Sequence, residues 1–123
     1  MDTHAFLWFI NGSDELSENA KNIIEKSENT IYLSIASLWE IAIKLNIGKL
    51  AIDFSFNDLK NEADKNDFQI LPVKYEDTLC LTTLELFHKD PFDRILISQG
   101  IQNNLTVITR DANFNAYPVK IIW

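Results

Sequence analysis

IYLSIASLWEIAIKLNIGKL, residues 31–50, carries two hydrophobic periodicities in succession. IYLSIA, residues 31–36, is apolar and β-branched on both faces, the mark of a buried strand. From Ser37 the pattern changes. S-L-W-E places a hydroxyl three residues ahead of a carboxylate, as in a capping box, and LWEIAIKLNI then repeats at helical spacing until Gly48. A buried strand running straight into a capped helix is half of a βαβ unit. It predicts an α/β protein with a parallel sheet and helices on both faces.

The flanking segments repeat the alternation. THAFLWFIN reads as a short helix ending in a turn at Asn11-Gly12, and Ser17 can cap SENAKNIIEK. AIDF reads as a short extended piece, and Ser55 can cap FNDLKNEADKN. QILPV is a strand whose Pro72 suggests an end or an edge. YEDTLCLTTLELF follows as a helix, with Leu79, Leu84 and Phe87 pointing inward. Asp90-Pro91 combines a good cap with proline at the first helical position, and FDRILISQGIQNN runs on to Asn103-Asn104. LTVIT and VKIIW supply two further strands. The expectation is one domain over residues 1–123.

Composition narrows the function. Apolar residues make up 46% of the chain, enough for a packed core and too many for a disordered segment. Cys80 stands alone, so no internal disulfide is possible; with no signal-like N-terminus, it reads as a buried thiol in a reducing cytoplasm. No apolar run approaches a membrane span. Eighteen acids against eleven bases give a net charge of −7, which argues against binding nucleic acid by simple phosphate neutralisation. It leaves open an enzyme whose acids meet phosphates through divalent cations.

In open α/β sheets ligands bind beyond the carboxyl ends of the strands, so the acids at those ends matter most. Glu40 falls in the first turn of the helix after IYLSIA, Asp111 two residues past LTVIT, and Asp90 and Asp93 in the first turn of DPFDRILISQ. Asp2 joins them if a strand precedes it. Thr3, Ser37 and Thr109 are hydroxyls beside these acids. Carboxylates gathered on one rim repel unless a cation sits among them, and hard oxygen donors suit Mg²⁺ or Mn²⁺. Such a site performs metal-assisted hydrolysis of phosphodiesters. Each acid also has a structural use: Asp90 as a cap, Asp93 on the helix dipole, Glu40 closing a box with Ser37, and Asp111 in a turn.

DTHAFLW, SIASLWEIAIKLNIGKL, LPV, HKDPFDRILISQ and TVITRD, in that order, resemble PIN-domain ribonucleases. The likeness is greatest to the VapC-type toxins of toxin–antitoxin pairs, and it spans nearly the whole chain. It implies an α/β/α sandwich around a parallel sheet, an acidic pocket that binds Mg²⁺ or Mn²⁺ and cuts RNA, and an antitoxin that covers the pocket. By motif, Asp2, Glu40, Asp93 and Asp111 take the metal-binding and catalytic roles, with Asp90, Thr3, Ser37 and Thr109 supporting. Arg94 is expected in an ion pair; His4 and His88 lack metal-ligand spacing and receive no role. The family pattern also has an apolar first strand ahead of the first aspartate. Only Met1 stands there, so either the start lies upstream or the first strand is a stub that leaves Asp2 beside a charged amine.

Two other readings stand beside the ribonuclease. One is an inactive PIN-like module that only binds protein. The other, a phosphoacceptor receiver domain, lacks the acidic pair after the first strand and the aspartate ending the third. Trp8, Trp39 and Phe92 would suit the anchors of a partner, although Trp39 and Phe92 also read as core. The aromatic surface near the first helices predicts a homodimer.

Overall fold

The computed structural model describes residues 1–52 and 55–123. Its elements run α1 (Thr3–Ile10), α2 (Glu18–Glu25), β1 (Tyr32–Ser34), α3 (Ile35–Asn46), α4 (Phe56–Lys65), β2 (Gln69–Leu71), α5 (Tyr75–Leu81), α6 (Pro91–Gln102), β3 (Thr106–Ile108), a 3₁₀ turn (Ala112–Ala116) and β4 (Lys120–Ile122). None of the described helices is long and apolar enough to cross a membrane. The extended reading of AIDF reaches residues 53 and 54 and lies outside the described residues.

Among the described residues all strand pairing is parallel, as the alternation of strands and helices requires. β1 pairs with β2 and β3 with β4, giving two pairs where one continuous sheet was expected. The N-terminus joins them. The Met1 amine donates to the carbonyl of Tyr32 in β1 at 2.9 Å. The next amide, Asp2 N–H, donates to Ile108 in β3 at 3.0 Å. Where the first strand is expected, Met1 reaches one pair and Asp2 the other. Beside them a cavity of about 390 Å³ opens between the pairs, lined by Met1, Tyr32, Ser34, Gln99, Thr106 and Ile108. Gln99 Oε1 is buried there without a hydrogen-bond partner.

Two hydrophobic clusters flank this joint. The larger packs Phe6, Leu33, Ile41, Leu59 and Phe68 from α1, β1, α3, α4 and the approach to β2. The smaller packs Leu96, Ile97, Val107, Phe114 and Tyr117 around α6 and β3. α6 lies close against β3 because Gly100 lacks a Cβ, which would stand 2.6 Å from Val119 Cγ2 and 3.1 Å from Val107 Cγ2. A mid-helix glycine ordinarily costs about 1 kcal/mol against alanine, and here close approach explains it.

Local signals place most boundaries. Ser17 accepts from Ala20 N–H, Asp90 from Phe92 and Asp93 N–H, and Gly48 takes a left-handed φ of 70° after α3. Three expectations fail. Helix α3 starts at Ile35, capped by Ser34 and not Ser37, because Ser34 Oγ accepts from Ala36 N–H. The strand is correspondingly shorter, and Glu40 closes no box. Helix α5 stops at Leu81, where the hydroxyls of Thr82 and Thr83 bond back to the carbonyls of Leu79 and Cys80. Leu79 and Phe87 are exposed, and of the three inward candidates only Leu84 packs against a core. Cys80 is half-buried and free.

Candidate functional site

Asp2 lies at the joint between the strand pairs. It is buried, and its Oδ1 caps α1 by accepting from Ala5 N–H at 2.7 Å. The next residue, Thr3, donates its hydroxyl to Glu40 Oε2 at 2.6 Å, which ties the start of α1 to α3. The other Glu40 oxygen is paired with Lys44, one turn further along α3. This side of the rim therefore has its own cation.

The opposite side is built from α6 and the segment after β3. Asp90 caps α6, and Asp93 occupies its third position. Thr109 is buried and accepts Asp111 N–H on its Oγ1 at 3.0 Å, while Asp111 caps the 3₁₀ turn through Asn113 N–H. Burial raises the Asp93 pKa from 3.8 to about 6, with the charges of Asp90 and Asp111 adding to the rise and His88 opposing it. Among the described residues no lysine or arginine pairs with Asp93 in the way Lys44 does with Glu40.

Two contacts draw the sides together. Asp2 N–H bonds to Ile108, immediately ahead of Thr109. The rings of Trp39 and Phe92, neighbours of Glu40 and Asp93, meet edge to face with centroids 5.3 Å apart. Among the described residues, however, no three His, Cys, Asp or Glu side chains sit close enough to form a ready-made ligand set for one ion. The rim nonetheless suits a hard divalent cation in chemistry and charge. Its donors are oxygens, Asp93 is crowded by like charge, and Ser37 Oγ is fully buried without a partner.

Several side chains depart from expectation. Arg94 makes no ion pair among the described residues; its guanidinium donates to the carbonyls of Glu85 and Leu84 and to the hydroxyl of Tyr117. Trp39 is 64% exposed and so is not core, whereas Phe92 and Trp8 are half-buried. Trp8 lies against Trp123 and under the guanidinium of Arg110. His88, which no sequence signal placed at the site, meets Asp93 Oδ2 through Nε2 at 3.2 Å. Lys44 was missed as well, although its i,i+4 spacing from Glu40 was there to be read.

No curated protein sequence matches the chain. In three dimensions it is similar to the crystal structure of VapBC2 from Rickettsia felis bound to a DNA fragment from their promoter. The TM-score is 0.68 at 17% identity, covering 98% of this chain and 93% of that one, a likeness of fold. The PIN domain matches residues 1–120, and the chain belongs to the PIN-domain family.

Proposed function

We propose that this chain is a divalent-metal-dependent ribonuclease, the toxin of a toxin–antitoxin pair, with Asp2, Glu40, Asp93 and Asp111 as its metal-binding and catalytic carboxylates. The observation that carries this reading is the uncompensated charge at Asp93, crowded by Asp90 and Asp111 on the rim that also holds Asp2 and Glu40. PIN domains are generally nucleases, which agrees with the family. Mg²⁺ or Mn²⁺ bound there would supply charge neutralisation and an activated water for phosphodiester hydrolysis.

The chain's own residues have definable parts in that reading. Thr3 orients Glu40, Thr109 fixes the turn that carries Asp111, and Asp90 holds the first turn of α6 so that Asp93 faces the rim. Ser37 Oγ is buried with no hydrogen-bond partner among the described residues, which leaves its hydroxyl for a water or a ligand oxygen in this reading. With a net charge of −7, the RNA backbone is approached through the cation more than through surface bases.

A protein partner is supported by α3. Ile35, Trp39, Ile43 and Ile47 recur every four residues and are all exposed, so one apolar stripe runs along this helix from beside Glu40. An antitoxin covering that stripe would also reach the acidic rim, and the fold's likeness to a VapBC2 complex is consistent with such a partner. A second copy meeting the first along the same stripe would make a homodimer.

The alternative, an inactive PIN-like binding module, draws support from Glu40 and Asp2, whose carboxylates already have a lysine and a helix cap to serve. The two readings separate on Mn²⁺. Calorimetry should detect Mn²⁺ binding to the wild type, and RNA cleavage should require Mn²⁺ and vanish in Asp93→Asn. A wild type that binds no Mn²⁺ and leaves RNA intact would establish the binding module instead.

A further inference from the structure

The contact between His88 and Asp93 belongs to a longer chain of hydrogen bonds. His88 is largely buried and has both ring nitrogens engaged: Nε2 with Asp93 Oδ2 at 3.2 Å, and Nδ1 with the hydroxyl oxygen of Tyr117 at 2.9 Å. The phenolic oxygen decides which nitrogen carries the proton. It already receives Arg94 Nη1–H at 3.1 Å and the backbone N–H of His88 at 3.2 Å, and both of these groups can only donate. A phenol accepts two hydrogen bonds and donates one. Both acceptor places are taken, so its own proton points to Nδ1.

Nδ1 is then bare, and the ring proton sits on Nε2, facing the Asp93 carboxylate. The other tautomer would crowd three donors onto one phenolic oxygen and strand the phenolic proton. It would also set the Nε2 lone pair against a carboxylate oxygen. Arg94 cannot easily turn away to relieve this, since Nη1 is also held by the carbonyl of Glu85 at 2.7 Å and Nη2 by that of Leu84 at 3.0 Å.

We propose that His88, held as its Nε2–H tautomer by Tyr117 and Arg94, is a positioning residue that fixes the Asp93 carboxylate by donating to Oδ2. This assignment rests on the metal reading of Asp93 given above and names what aims that carboxylate. Anchoring one oxygen directs the other toward the rim and removes the rotational freedom that a ligand must otherwise lose on binding. Nothing in the spacing of HKDPFD announces this role, because the element that sets the tautomer, Tyr117, lies 29 residues away.

Two measurements test the assignment. In the metal-free chain, ¹⁵N spectra of the imidazoles, assigned by the signal lost in His88→Gln, should show His88 protonated at Nε2 and bare at Nδ1. Tyr117→Phe should weaken that preference. A predominant Nδ1–H form overturns the relay. In Mn²⁺ calorimetry, His88→Leu should weaken binding by about 10–100-fold, the usual cost of losing a group that orients a metal ligand. His88→Gln, which can return an N–H near the Nε2 position, should recover most of the loss. Unchanged affinity in His88→Leu, or a His88→Gln variant as weak as His88→Leu, overturns the positioning role. A wild type that takes up no Mn²⁺ removes the nuclease reading, and the relay is then decided by the tautomer alone: Nε2–H sustains it and Nδ1–H ends it.

Discussion

Glu40 and Asp93 carry the same charge on the same rim and meet opposite surroundings. Glu40 is held by the hydroxyl of Thr3 and neutralised by Lys44 on its own helix. Asp93 faces Asp90 and Asp111, and its close partner is the ring of His88, itself held by the Tyr117 hydroxyl. One side of the rim is complete as folded; the other has a deficit of positive charge. On the proposed metal reading, the difference puts the demand for a cation at α6 and the segment after β3, with α3 as a pre-set neighbour.

The largest test of that asymmetry is catalytic. In Mn²⁺, Asp93→Asn should slow RNA cleavage by about 100-fold or more, the scale of a 1 Å misplacement at a reacting centre. Full activity in that variant would remove Asp93 from the site. Next in size is stabilisation by metal. At 100 times its Kd, a ligand that binds only the folded chain adds about 2.7 kcal/mol. Mn²⁺ should therefore raise the Tm of the wild type by several degrees and that of Asp93→Asn far less. A smaller effect belongs to the other side. If Lys44 competes with the cation for Glu40, Lys44→Met should tighten Mn²⁺ binding by up to about five-fold, the limit for a partly exposed ion pair. Weaker binding in Lys44→Met would mean that this ion pair aims Glu40 at the metal.

A separate effect, free of metal, lies in the pH dependence of stability. The Asp93 pKa is raised to about 6. Between its ordinary value and 6, the folded chain holds a proton that the unfolded chain has lost. Stability is therefore gained as pH falls from 6 towards 4, and lost as pH rises through 6. The Met1 amine works in the opposite sense. Burial lowers its pKa from 8.0 to about 6, against the pull of Asp2, so stability is lost as pH falls from 8 to 6. The two windows meet, and the urea midpoint should pass through a shallow minimum near pH 6. Asp93→Asn should remove the recovery on the acid side, and acetylating the amine should remove the decline on the alkaline side. A profile unchanged by either would show that other groups govern this range.

Much of this architecture was legible in the chain because short-range rules decide it. The caps at Ser17, Ser55 and Asp90, the stop at Gly48 and the parallel pairing all follow from local chemistry and the alternation of strand and helix. Ser34 and Ser37 show where such rules run out. Both can cap a helix, and β-branched Ile35 between them reads as strand until its exposed place on α3 is seen. Asp111 could be placed because it lies just past a strand end, and Asp90 because an Asp-Pro pair starts a helix. What keeps Glu40 and Asp93 so different could not be anticipated, apart from Lys44. The Tyr117 hydroxyl reaches His88 only because the chain folds back after the 3₁₀ turn, and Arg94 finds carbonyls where a carboxylate was expected.

The joint between the strand pairs has a practical consequence. In most folds the terminal amine hangs in solvent, and a tag or blocking group placed on it is a bystander. Here the same nitrogen is bonded into the centre of the molecule, next to both the cavity and Asp2. Any group attached to it enters the architecture. A bulky polar tag would wedge the two pairs apart, whereas a few β-branched residues would have both a space to fill and strand edges to follow. Labels, affinity handles and fluorophores for this protein therefore belong elsewhere on its surface.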